Sequence, residues 1–233
     1  MKETVKVRRR KLNFIKLLLI LLGLYIFIYI VYLLIQLPIK NIYIYYESEF
    51  PNMLLKDQMI LEEAKIDDYP SFFLTTSYSI RKRLLKNPYI KKVEVKKKWF
   101  REVHLYITKY KKIFYDEPSN KIVLENNKQV KNNKRINYLP VLINYVPDTI
   151  YDKFLKQMSL IKSDVKIKIS EIQYNPHDID EECFIFMMND GVYVYLTLDK
   201  FNKINEYNNI VPILEGKKGI LYLDLGNYFE IFE

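Results

Sequence analysis

Nineteen consecutive residues, Leu17 to Ile35, carry neither a charge nor a side-chain amide. Wound as a helix at 1.5 Å per residue they span about 28 Å, close to the hydrocarbon core of a bilayer. Lys2, Lys6, Arg8, Arg9, Arg10, Lys11 and Lys16 precede them, against a lone Glu3. Cations at one end of a span set its orientation, so Arg8, Arg9, Arg10, Lys11 and Lys16 are read as topology-setting and the N-terminus as cytoplasmic. The chain from about Ile39 onward then faces the other side. A cleaved signal peptide has a shorter apolar region, roughly 7–15 residues, and a small-residue cleavage site. Here the stretch Ile35-Gln36-Leu37-Pro38-Ile39-Lys40 has no Ala-x-Ala. An uncleaved anchor is therefore read over a signal peptide or a buried core helix, with residues 1–16 as a basic tail and 17–38 as the transmembrane helix.

The remaining 195 of the 233 residues suffice for one large domain or two small ones. Five glycines argue against Gly-rich phosphate loops, and no G-x-G-x-x-G or Walker-type run is present. Cys183 is the one cysteine, so no internal disulfide holds the chain together. The net charge of +9 is uneven. Residues 81–112 hold thirteen Lys and Arg against Glu94 and Glu102. Outside the cell such a block has anionic headgroups or wall polymers as partners rather than nucleic acid, with a solvated strand face as the plain alternative.

Residues 41–46 alternate β-branched and aromatic side chains and predict a strand. Met53, Leu54, Leu55, Ile60, Leu61 and Ala64 form a helical stripe across 52–65. Thr75-Thr76-Ser77 offers an N-cap for a second helix, which Asn87-Pro88 ends. Two strands follow, joined at Phe100-Arg101, with Val93 and Val95 on one apolar face and Val103, Leu105 and Ile107 on another. This is a β-α-α-β-β unit with one helical layer on a small sheet. Beyond Lys112 the pattern predicts a hairpin of 113–116 and 122–125, and a short strand at 139–144. A helix capped by Asp148 comes next, then strands at 166–174, 183–188 and 192–198. Asn189-Asp190-Gly191 marks the turn between the last two. A polar helix near 200–214 and a closing strand from Gly219 complete the chain. The fold class is α+β: a single transmembrane helix, the small mixed unit, and a mainly antiparallel β-rich domain.

Catalytic chemistry is not indicated. His104 lies on the polar face of its strand and His177 in a loop, and both are read as surface residues. Cys183 opens an apolar strand and has no histidine at motif spacing. Asp178, Asp180, Glu181 and Glu182 cluster without the alternating spacing and glycine turn of a Ca²⁺ loop. No catalytic residue, metal site or cofactor is predicted.

With this order in hand, the chain resembles the FtsQ/DivIB family of bacterial division proteins. Arg83-Leu84-Leu85-Lys86-Asn87-Pro88-Tyr89-Ile90-Lys91-Lys92-Val93-Glu94-Val95 is similar to that family's helix end, Asn-Pro-aromatic turn and strand. Lys98-Trp99-Phe100-Arg101-Glu102-Val103 resembles its Trp-Pro hairpin, Leu139-Pro140 its mid-chain Leu-Pro, and Gly219 to Phe232 its closing strand. Phe100 stands where the family has proline, Tyr46-Glu47-Ser48 where it has Gly-Asn, Lys109 where an acidic residue is common and Lys112 where proline is. The resemblance implies a POTRA-like domain over 39–110 and a β-rich domain over 111–233. It also implies a non-enzymatic divisome scaffold at the septum, with FtsB/DivIC-type and FtsL-type single-span partners, that regulates septal peptidoglycan synthesis. Ile220, Leu221, Tyr222, Leu223, Asp224 and Leu225 are read as a final edge strand for partner binding, with Tyr222, Tyr228 and Phe229 as aromatic anchors. The other readings are a POTRA-bearing transport or secretion component and a membrane-anchored wall enzyme.

Overall fold

The computed structural model describes residues 14–47, 56–177, 180–224 and 226–232. Met53, Leu54 and Leu55, Arg8 to Lys11, Asp178 and Leu225 lie outside the described residues. The chain divides into two compact units, Met1–Lys109 and Tyr110–Glu233.

The first unit opens with α1 (Phe14–Gln36), whose side chains are none of them buried and whose mean hydropathy is 2.9 over its most apolar window. At 23 residues it is about 34 Å long, enough to cross a bilayer. The helix stops at Gln36, two residues short of the predicted end, because Pro38 disfavours helical geometry in the residue before it. Strand β1 (Asn41–Glu47), helices α2 (Asp57–Ala64) and α3 (Ser77–Leu84), and strands β2 (Ile90–Lys98) and β3 (Glu102–Lys109) follow. The sheet order is β1-β3-β2, with β1 parallel and β2 antiparallel to β3. Ile60, Ala64, Ile80 and Leu84 of the helices are buried against Val93, Val103, Leu105 and Ile107 of the sheet. Thr76 caps α3, its Oγ1 accepting from Ser79 N at 3.1 Å. Asn87 ties three segments together. Its Nδ2 donates to the Glu63 carboxylate at 2.8 and 2.9 Å and its Oδ1 accepts from Tyr89 N at 2.9 Å.

His104 corrects the expectation of a surface histidine. It does lie on the face away from the helices, yet only 5% of it is exposed. Strand β3 is central, so side chains from β1 close over it. Tyr43 stacks on the imidazole at 4.7 Å and Tyr45 at 5.9 Å. Nδ1 lies 3.3 Å from the Tyr45 hydroxyl and Nε2 3.3 Å from Glu102 Oε2.

The second unit is one nine-stranded sheet. Its strands are β4 (Lys112–Asp116), β5 (Lys121–Leu124), β6 (Gln129–Lys131), β7 (Val141–Leu142), β8 (Ile169–Tyr174), β9 (Cys183–Met188), β10 (Tyr193–Thr197), β11 (Gly219–Tyr222) and β12 (Tyr228–Ile231). They are ordered β12-β11-β10-β9-β8-β7-β4-β5-β6. The pairs β4–β7, β7–β8 and β10–β11 are parallel and the rest antiparallel. Helices α4 (Asp148–Leu160), α5 (Ser163–Lys166) and α6 (Tyr207–Ile210) complete it. Phe114, Phe154, Phe184, Phe186 and Phe201 form the centre of the core, with Phe154 and Phe184 stacked at 5.0 Å.

Four local expectations change. Strand β7 is two residues rather than six, because Asn144 substitutes side-chain for backbone pairing, giving and taking hydrogen bonds with Tyr174 at 2.7 and 2.8 Å. Residues 163–166 are a helical turn, so β8 begins at Ile169. Asp148 is the first helical residue and Pro147 the cap, and no side chain caps the helix. The helix near 200–214 is mostly 3₁₀, over Leu198–Glu206 and Val211–Leu214. Leu198, Phe201, Ile204 and Tyr207 are all fully buried and fall at intervals of three, the period of a 3₁₀-helix.

Candidate functional site

The strongest site in the described residues is the β10–β11–β12 corner. The predicted edge strand is not an edge. Strand β11 lies between β10, which it joins in parallel, and β12, which it joins antiparallel. The outermost strand is β12, which lies within the stretch from Gly219 to Phe232 expected to form one closing strand. Asn227 after Gly226, followed by Tyr228-Phe229-Glu230-Ile231-Phe232, is a turn signal followed by a β-prone run, and that signal was there to be read.

The predicted residues therefore scatter by role. Leu221 and Leu223 are buried in the core, and Leu223 N donates to Tyr195 O at 3.0 Å. Phe229 packs against the same core. Tyr222 lies on the opposite face, where its ring stacks on Tyr228 at 4.4 Å and meets Tyr195 at 5.5 Å. Burial first, and the Glu230 carboxylate second, push the Tyr222 phenol up from its ordinary value. Ile220 pairs with Glu230 and shares that face. Asp224 follows the strand and holds a buried carboxylate oxygen, Oδ1, without a protein partner. Leu225 lies outside the described residues, as do Arg8, Arg9, Arg10 and Lys11, whereas Lys16 lies on α1.

Backbone parity shows what the edge offers. Phe232 N donates to Lys218 O at 3.0 Å, so the pairs Lys218–Phe232, Ile220–Glu230 and Tyr222–Tyr228 exchange hydrogen bonds. The N–H and C=O groups of Phe229 and Ile231 consequently point away from β11. Tyr193, which meets Phe232 at 5.6 Å, continues the aromatic face beside this edge. The arrangement accepts an extended strand: main-chain groups for pairing, and rings for alternate side chains.

The other candidate groups are engaged structurally. Cys183 is buried, which pushes its thiol up. His177 Nε2 meets the Tyr195 hydroxyl, and the two rings stack at 5.8 Å. Glu182 pairs with Lys153, which also reaches Asp199 at 3.1 Å. Among the described residues, no three of His, Cys, Asp and Glu come together as a metal site.

The profile described as "POTRA domain, FtsQ-type" matches residues 51–110, the span from the segment before α2 through β3. The cell division protein DivIB of Bacillus subtilis (strain 168) is 29% identical over 232 residues, 97% of this chain and 85% of that protein. These matches support the FtsQ/DivIB family for this chain. DivIB of Listeria monocytogenes is 26% identical over 237 residues, covering 99% of this chain and 86% of that one. The major extracytoplasmic domain of DivIB from Geobacillus stearothermophilus, in its trans isomer, is 25% identical. It covers 46% of this chain and 94% of that one, with a TM-score of 0.39. Among the described residues one helix, α1, is long and apolar enough to cross a membrane, and with the DivIB relatives it supports a single-pass membrane protein of the divisome.

Proposed function

We propose that the chain is a non-enzymatic scaffold with a cytoplasmic N-terminus, concentrated at the division septum. On this reading it gathers FtsB/DivIC-type and FtsL-type partners and thereby regulates septal peptidoglycan synthesis. The observation that carries the reading is the open edge of β12 beside the Tyr193, Tyr195, Tyr222 and Tyr228 rings. A partner's extended segment adds there as a tenth strand, using the outward groups of Phe229 and Ile231. Strand addition suits a bitopic partner, whose short outside segment lacks a core of its own. Family membership, the single span and the structural commitments of His104, His177 and Cys183 support the scaffold over the enzyme.

Proline at Ile231 separates pairing from folding. It removes an outward N–H while leaving every β11–β12 bond intact, the one setting in which sheets tolerate proline. In capture assays with full-length chain in detergent, Ile231→Pro is expected to weaken binding of the DivIC-type partner about fivefold, since each pairing bond contributes ~1 kcal/mol. Ile231→Ala keeps the N–H and retains most of the binding. Equal binding by Ile231→Pro would remove β12 as the pairing edge.

A further inference from the structure

The hairpin between β2 and β3 exposes two of the largest apolar side chains in the molecule. Trp99 is 90% exposed and Phe100 83%. Water-facing aromatics at a turn tip are costly, and here the backbone cost is added to it. Phe100 and Arg101 both hold left-handed geometry, with φ of 69° and 64°, where a glycine would be unstrained. The chain keeps bulky side chains at positions that favour the smallest one.

The tip also has a fixed place. Lys40 N donates to Arg101 O at 2.9 Å, and Arg101 Nη1 to Pro38 O at 3.4 Å. Pro38 is two residues past the end of α1. On the other flank, Pro38 bridges Ser71, and Phe72 N donates to Leu37 O at 2.8 Å. Lys97 holds the 72–75 segment from below, its Nζ bonded to the carbonyls of Phe72 and Thr75 and 4.0 Å above the Phe72 ring. Two loops and the end of the anchor are thus bound into one surface. Its exposed apolar side chains are Phe73, Leu74, Trp99 and Phe100, and Lys40 and Lys98 are the exposed cations beside them.

We infer that this surface is a second membrane contact: Trp99, Phe100, Phe73 and Leu74 enter the interface of the leaflet in which α1 ends, with Lys40, Lys98 and Arg101 against anionic headgroups. Indole and phenyl rings favour the headgroup level, where one edge is apolar and the other wet. Counted along the chain and the Arg101–Pro38 contact, the tip is at most roughly 20 Å from the end of the span, within reach of that layer. The cations supply the attraction that anionic lipid gives juxtamembrane basic groups. One helix alone leaves the first unit free to swivel over the bilayer; a second contact fixes which face it presents.

The inference rests on α1 spanning a bilayer, and one preparation tests both. Trp99 is the sole tryptophan, so the full-length chain reports on the tip without a label. In nanodiscs containing anionic lipid, its emission is expected to shift to the blue and to lose roughly half its intensity with lipids brominated high on the acyl chain. Acrylamide is expected to quench it several-fold less than in free tryptophan, and Lys98→Glu to reverse part of the shift at low salt. A chain that co-elutes with the discs but keeps water-exposed Trp99 overturns the inference and leaves the anchor standing. Shielding that arises only when a partner protein is added overturns it too, in favour of a protein contact. A chain that never enters the discs overturns the anchor and the inference together.

Discussion

Lys166 is a half-buried cation. It lines a pocket with Lys111, Glu125, Ser159, Lys162 and Ser163, beneath the short turn that α5 makes before β8. Burial first, then the neighbouring Lys111 charge, lower its ammonium pKa from 10.5 to about 8, with Glu125 opposing. Between those values the unfolded chain binds a proton that the folded chain has released, so stability rises as pH climbs from about 8 to about 10.5. Below pH 8 the folded state carries the full penalty. Lys166→Met is therefore expected to stabilise the protein near pH 7, by about 1 kcal/mol once water entering the open pocket is allowed for, and by nothing above pH 10.5. Thermal melts across that range check it; a Met variant less stable at pH 7 would mean that Glu125 outweighs the burial. Neither this pocket nor the burial of His104 was legible in the sequence. Alternation in β3 assigned His104 to the correct face, but the rings that cover it come from β1, about sixty residues earlier. Thr76 and Asn87 were legible because their bonding is local.

At the scale of elements, the contrast between β11 and β12 is the instructive one. Strand β11 was legible as an apolar run, but whether a strand is an edge depends on what lies beside it, and its neighbour follows a turn at Gly226-Asn227. Gly219 shows how close that neighbour comes. A Cβ built there would collide with the backbone carbonyl of Glu230. Gly219→Val is accordingly expected to lift β12 from the sheet while β9 and β10 remain paired. The amides of Tyr228, Glu230 and Phe232, which point at β11, would then lose hydrogen-exchange protection by about tenfold or more, the size of a ~1–2 kcal/mol local opening. Gly226→Ala, which meets nothing within 4 Å, is the matched control and should leave those amides unchanged. Retained protection in Gly219→Val would show that β12 shifts its register rather than leaving. The 3₁₀ segment is the reverse case: Leu198, Phe201, Ile204 and Tyr207 recur every third residue, a period visible in the sequence but taken for a helical one.

At the scale of the molecule, the order of elements was legible and the pairing of distant ones was not. Local hairpins such as β2–β3 and β4–β5 follow from turns, whereas the insertion of β7 between β4 and β8 joins segments with no sequence signal in common. Each unit nevertheless closes a core of its own: Ile60, Ile80, Leu84, Val103 and Leu105 in the first, and the Phe154–Phe184–Phe201 group in the second. Loss of packing in one is tested directly against the other, because the described buried residues of each cluster come from a single unit. Leu105 sits at the middle of the central strand β3 and is fully buried, facing α2 and α3. Leu105→Ala removes its contacts and leaves a cavity that a three-stranded sheet under two short helices has little means to fill, a cost of about 2–5 kcal/mol. For a unit of this size that is a large share of the whole stability. Hydrogen exchange should accordingly accelerate across β1, β2 and β3 while β8, β9 and β10 keep their wild-type rates. Faster exchange in both sets would mean that the two units unfold as one. Protection confined to the second unit would mean that the proposed strand pairing at β12 and the proposed membrane contact belong to separately stable parts of one chain, so that a lesion in either is read without disturbing the other.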